Sequence, residues 1–214
     1  MISRRFSLLL LMLAINTWAD AAAQTTSWSE FMGGQRKTFS SAGQAKANGF
    51  EVSFDYPESW NGVEGRRPHI LQQVTSEHGK GLEICNLTVR DLPLPKDYKP
   101  TKAEIDELFT PAYLPEWLPK DGVIVRSART TIDGQPSALI EYRQEMNRAG
   151  LAIKMQWVVF PIYYDKKILI FGCSVGSGPS RSWGEMQESF NAQLPLFQQM
   201  ASSLIIHSRW KRAP

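Results

Sequence analysis

Between Val123 and Ser174 the chain reads as four strand-length runs joined by connections too short for a crossover. Val123 to Ile132 meets Asp133-Gly134, a strong hairpin signal, and continues as Ser137 to Met146. Asn147 to Gly150 turns into Leu151 to Ile162, and Tyr164 to Lys167 turns into Ile168 to Ser174. A parallel return would need a dozen or more residues. The four runs must therefore alternate in direction, as an antiparallel meander.

Upstream, GFEVSFDYPESW (49–60) alternates Phe50, Val52, Phe54 and Tyr56 with Glu51, Ser53 and Asp55, the period-two pattern of a half-buried strand. Pro57 ends it for want of an N–H, and the chain folds back at Trp60. A Gly/Arg/Pro loop, Asn61 to Pro68, leads to two strands, His69 to Ser76 and Leu82 to Leu92, joined around Glu77 to Gly81 and closed by Pro93 and Pro95. Thr101 and Glu104 form a capping-box pattern ahead of Ile105, Leu108 and Phe109. The proline-punctuated stretch Pro111 to Pro119 then carries Tyr113 and Trp117, the candidate contact surface.

Near the C-terminus, Met186, Phe190, Leu194, Phe197 and Met200 recur every three or four residues, one buried face of a helix over about 182–203, with Pro195 expected to kink or divide it. Strands, helix, strands, helix is the order of an α+β fold. The expectation is an α/β/α-type sandwich with a largely antiparallel central sheet and flanking helices.

The first residues set the compartment. Arg4 and Arg5 precede an apolar run from Phe6 to Ile15, followed by Ala19, Ala21 and Ala23, the three-part layout of a secretory signal peptide. The run is about ten residues, half of a membrane span, so cleavage after Ala23 is expected, with Ala21 the alternative. The expected mature chain has no transmembrane segment and is periplasmic or secreted.

Removing residues 1–23 takes the net charge from +3 to +2, too little to argue for nucleic acid. Residues 24–48, rich in Ser, Thr, Gln, Gly and Ala, read as a flexible lead-in with one helical turn around Trp28 to Met32. A single domain follows over 49–206 and a basic, solvated tail over 207–214. Arg209, Lys211 and Arg212 around Trp210 offer a peripheral membrane contact. Cys85 and Cys173, an even pair in an oxidising compartment, are a candidate disulfide; two buried thiols are the alternative. Asn86-Leu-Thr88 is a glycosylation triplet by pattern.

Four features in order resemble the PsbP-like fold, shared by photosystem II extrinsic proteins, a Ran-binding nuclear import factor and many exported bacterial proteins. They are Val52-Ser-Phe-Asp-Tyr-Pro-Glu-Ser-Trp60, the Ile132-Asp-Gly-Gln-Pro136 turn, the strand ending Ile168-Leu-Ile-Phe-Gly172, and the last helix running into Met200-Ala-Ser-Ser-Leu204. The resemblance implies a non-enzymatic binding or assembly role, here with an envelope protein or complex as partner. It assigns no binding residue.

The sharpest enzymatic pattern is Gly172-Cys-Ser-Val-Gly176, a G-x-S-x-G string with Ser174 as nucleophile and Glu185 or Glu188, then His207, following in the order used by α/β-hydrolases. Against it, the elbow belongs to a parallel sheet, and Gly176 to Pro179 separates the serine from the next helix. No earlier Gly-rich loop offers the second oxyanion donor. The small exported serine hydrolase is therefore the alternative, and the string reads first as a strand end. The following Gly-Ser-Gly-Pro-Ser loop could cradle a phosphate, although Ser180 or Ser182 as helix N-cap is the simpler reading. His69, His78 and His207 lack metal-ligand spacing. No metal and no cofactor is expected.

Overall fold

The computed structural model describes residues 27–76, 83–148, 150–178 and 180–211. The expected signal peptide (1–23), His78 and Arg212 lie outside them. In chain order the first elements are α1 (27–32), β1 (Arg36–Ser40), β2 (Val52–Pro57), β3 (Asn61–Glu64), β4 (Ile70–Thr75), β5 (Glu83–Asp91) and α2 (Lys102–Glu107). The meander β6 (Val123–Ile132), β7 (Gln135–Arg148), β8 (Leu151–Tyr164) and β9 (Lys167–Ser177) follows. The chain then runs through α3 (Trp183–Ser202), β10 (Ile205–Ile206) and the single turn α4 (His207–Trp210).

Seven strands, ordered β3-β4-β5-β9-β8-β7-β6, make the main sheet, and each neighbouring pair is antiparallel. The meander is thus as its turns require. Asp133 and Gly134 (φ 47° and 68°), and likewise Asp165 and Lys166 (44° and 62°), place both central residues of each two-residue loop at positive φ, the type I′ geometry whose twist matches a hairpin.

The two faces of this sheet carry separate cores. Val158, Phe160 and Ile162 of β8, with Leu169, Phe171, Cys173 and Val175 of β9, meet Met186, Phe190, Phe197 and Met200 of α3, and the small sheet β1-β2-β10 completes that layer. Val159 and Tyr163 of β8, with Ile168 of β9 and Ala138 and Ile140 of β7, face the opposite way, onto Phe109 and Leu114 of the 92–122 excursion. The period-two alternation of β8 and β9 is what feeds both cores at once. The α+β sandwich is as expected, except that one outer layer mixes a helix with a three-stranded sheet.

Cys85 and Cys173 stand directly opposite each other on β5 and β9 and form a disulfide, both residues fully buried. Ser182 is the N-cap of α3, with Glu185 completing a reciprocal capping box, and Thr101 and Glu104 do the same for α2. Pro195 does not divide α3. Asn191 and Pro195 are both exposed, so the carbonyl freed by the missing N–H faces water.

Three expectations are corrected. The lead-in over 24–48 is structured from residue 27 onward. Glu30 accepts hydrogen bonds from the backbone N–H and hydroxyl of Ser59, and the indole of the buried Trp60 donates to Ser27, so α1 is pinned to the Tyr-Pro turn and β1 pairs with β2. The loop from Asn61 contains β3, paired with β4. The tail is docked rather than solvated through residue 211: Arg209 Nη1 donates to the Asp133 carbonyl, His207 Nε2 lies 2.7 Å from Ser53 Oγ, and Lys211 pairs with Glu51.

Candidate functional site

The hydrolase residues are held by three different partners. Ser174 is fully buried mid-strand between Ile84 and Trp157, its hydroxyl 3.4 Å from the Ile84 carbonyl. Glu185 is occupied by the Ser182 cap, whose backbone N–H and hydroxyl hold its carboxyl below the usual range, and Glu188 is exposed on α3. His207 meets Ser53 of the small sheet. Gly172 has a packing reason, since a Cβ there would lie 2.9 Å from Val159 Cγ1.

Of the expected contact pair, Tyr113 is 42% exposed, while the Trp117 indole donates to the Leu108 carbonyl at 3.0 Å and packs on the second core. Asn86 lies mid-strand between Gln73 and Gly172 with its Oδ1 buried, not in a surface loop. Among the described residues no group of three His, Cys, Asp or Glu could hold a metal.

A polar row that none of these patterns marks runs beneath the start of α3. On β7, Glu141, Arg143 and Glu145 alternate and so share one face. Glu141, only 3% exposed, accepts from Arg126 Nε and Nη2 at 2.8 and 2.5 Å. Next along, Arg143 donates from Nη2 to Gln187 Oε1 (2.8 Å) and lies 5.3 Å from the Trp183 ring centroid. The same Gln187 oxygen accepts from Gln156 Nε2 at 2.9 Å. Gln156 faces Arg143 across the β7–β8 ladder, and the Arg143 Nε and Gln156 Oε1 are both buried without a partner.

This row opens into a groove. β6 begins opposite Arg143, so the backbone of β7 from Gln144 onward has no strand on that side among the described residues. Asp121, Val123, Arg143, Gln144, Glu145 and Trp183 line an open depression of about 430 Å³ there. Gln144 Nε2 holds Asp121 at 2.9 Å, and Val123 is 66% exposed at the rim. Beneath it Tyr142 stacks on Trp157, rings 6.0 Å apart and 3° from parallel. Burial, then the charge of Asp121, pushes the Tyr142 phenol well above its usual range, so it stays protonated.

Arg143 has no carboxylate partner among the described residues. A guanidinium held by an amide and an aromatic face, beside an unpaired strand edge, can take a carboxylate and a run of extended backbone together. The signal for this in the sequence is the Glu-Tyr-Arg-Gln-Glu alternation of 141–145 inside a strand, with Trp183 following a helix cap.

No protein-family model and no curated protein matches this sequence. Among solved structures, the cyanobacterial PsbP (CyanoP) of Synechocystis sp. PCC 6803 is 16% identical, with a TM-score of 0.46 over 80% of this chain and 92% of its own. The Ran-binding protein Mog1p of Saccharomyces cerevisiae is 10% identical, also at 0.46, over 80% and 95%. LpqN of Mycobacterium tuberculosis, involved in cell envelope biogenesis, is 7% identical at 0.42, over 79% and 90%. The first two are of the kinds that the PsbP-like resemblance names. At these scores the likenesses carry nothing about what this chain binds.

Proposed function

We infer that the protein is an exported binding or assembly protein without a catalytic role, taking an extended segment of an envelope partner at the groove beside β7. The observation that supports this most is Arg143, positioned by Gln187 and Trp183 and, among the described residues, with no acid of its own and at the end of an unpaired strand edge. The partner segment would add a strand along Gln144 to Asn147 and place a carboxylate against Arg143. Export rests on the leader, with cleavage after Ala23, and suits a chain whose two cysteines are bonded.

Capture from the organism's own envelope fraction tests it, with mature protein as bait. One partner held by the wild type and lost with Arg143→Glu or Trp183→Ala, both melting normally, is expected. Binding should also slow amide exchange at residues 144–147. A partner retained by both variants overturns the assignment of the groove. Fluorophosphonate labelling abolished by Ser174→Ala would overturn the non-catalytic reading.

A further inference from the structure

At one end of the main sheet lie the β3–β4 loop, the exit of β5, the β6–β7 turn and the β8–β9 turn. The docked C-terminal segment joins them there, because Arg209 and the Trp210 indole both contact Asp133 in the β6–β7 turn.

The carboxylates paired at this end are already answered. Lys46 pairs with Glu64, Lys167 with Asp91, Arg209 with Asp133 and Lys211 with Glu51. Arg66, Arg67 and Arg90 are exposed and form no ion pair among the described residues. They are brought together by the ladder. Ile70 N donates to the Arg67 carbonyl at 3.0 Å, and Val89 N to the His69 carbonyl at 3.0 Å, which sets the loop beside Arg90. Burial, then the charges of Arg90 and Arg67, holds the His69 imidazole below its usual range. Exposed carboxylates Asp97 and Asp165 lie in neighbouring segments and are the local opposition.

One short stretch joins this arginine cluster to the tail. Lys46 touches the β3–β4 loop through Glu64 and the Gly65 carbonyl, and Glu51, five residues on, holds Lys211 and donates its backbone N–H to Ser208 Oγ. Five residues span at most about 18 Å, so the two groups of cations lie at the same end of the sheet, on either side of its width. Trp210, 63% exposed, stands between Arg209 and Lys211, with the Arg209 guanidinium 4.6 Å from its ring centroid.

We propose that this end, with Arg66, Arg67 and Arg90 on one side and Arg209 to Lys211 around Trp210 on the other, is an adhesion face for an anionic lipid surface. The cations come from separate connections strung along the end of the sheet, which suits an extended plane of negative charge better than a single phosphate or one acidic side chain. An exposed tryptophan flanked by cations is the composition that settles at a bilayer's headgroup level. The proposal rests on export, which puts the chain beside a membrane, and not on the groove, whose lining residues are all different.

Co-sedimentation of the mature protein with vesicles of equimolar phosphatidylglycerol and phosphatidylcholine tests it. Binding is expected to the mixed vesicles, not to phosphatidylcholine alone, and to fall in high salt. Each charge removed should weaken it about fivefold, so Arg66→Gln/Arg67→Gln/Arg90→Gln loses about a hundredfold. Trp210→Ala weakens binding without changing its salt dependence, and Lys120→Gln, outside this face, leaves it unchanged. Equal binding to both vesicle types, or an unaffected triple variant of normal melting temperature, overturns the proposal. So does binding that needs an acidic protein in place of lipid. Arg143→Glu should bind vesicles normally while losing the envelope partner, so the two readings fail separately.

Discussion

Glu141 is a carboxylate inside the sandwich, and a single extra residue on the neighbouring strand makes it tolerable. The register of β6 against β7 shifts between Ile124 and Arg126, which leaves Val125 unpaired and sets Arg126, not Val125, opposite Glu141. A buried carboxylate stripped of its partner costs more than the pair contributes. Arg126→Ala should therefore lower stability by about 2 kcal/mol, below the range for fully buried pairs because the arginine is half in water. Adding Glu141→Gln should recover most of that loss in denaturant melts; no recovery would show that Arg126 acts through packing alone. The alternation of Glu141, Arg143 and Glu145 is legible in the sequence as one face of a strand. Their partners are not, because Arg126 reaches Glu141 through a bulge and Arg143 meets Gln187 on a helix 44 residues later.

The helices were the more legible elements because their start signals are local. Both capping boxes form as their Thr-x-x-Glu and Ser-x-x-Glu spacing dictates, and in both the glutamate's carboxyl is lowered from the ordinary 4.5. For Glu104 the Tyr98 hydroxyl is the leading cause, followed by Thr101; for Glu185 it is the Ser182 backbone N–H, then its hydroxyl. A carboxyl with a depressed folded pKa binds its proton more readily in the unfolded chain. The stabilisation it brings is complete above the unfolded value and disappears as pH falls through the folded one. Stability should decline as pH falls below the ordinary carboxyl value of 4.5 and through the depressed folded one, and Ser182→Ala should make that decline shallower. An acid limb of unchanged slope in the variant would refute the assignment. The short strands β1, β3 and β10 were less legible, since a strand of two to five residues is specified by the neighbour it pairs with and not by its own alternation.

At the scale of the whole molecule, the sequence carries the order of the layers but not their closure. The lead-in looks like a linker because its polar composition hides three contacts made at a distance, from Ser27, Glu30 and Phe31, the last buried in the first core. The tail looks solvated because nothing in His-Ser-Arg-Trp-Lys announces that Asp133, more than seventy residues away, will receive it. The pairing of Cys85 with Cys173 was open until β5 and β9 proved to be neighbours across a sequence separation of 88. That bond has a consequence beyond stability. It makes everything from β5 to β9, including α2 and the whole meander, a covalent ring. A protease that cuts once within it, for instance in the exposed stretch 95–99, opens the ring without releasing a fragment. The nicked chain should migrate as one band on a non-reducing gel and as two after denaturation with a thiol. Because both sulfurs are sealed in the core, the same thiol without denaturant should leave it as one.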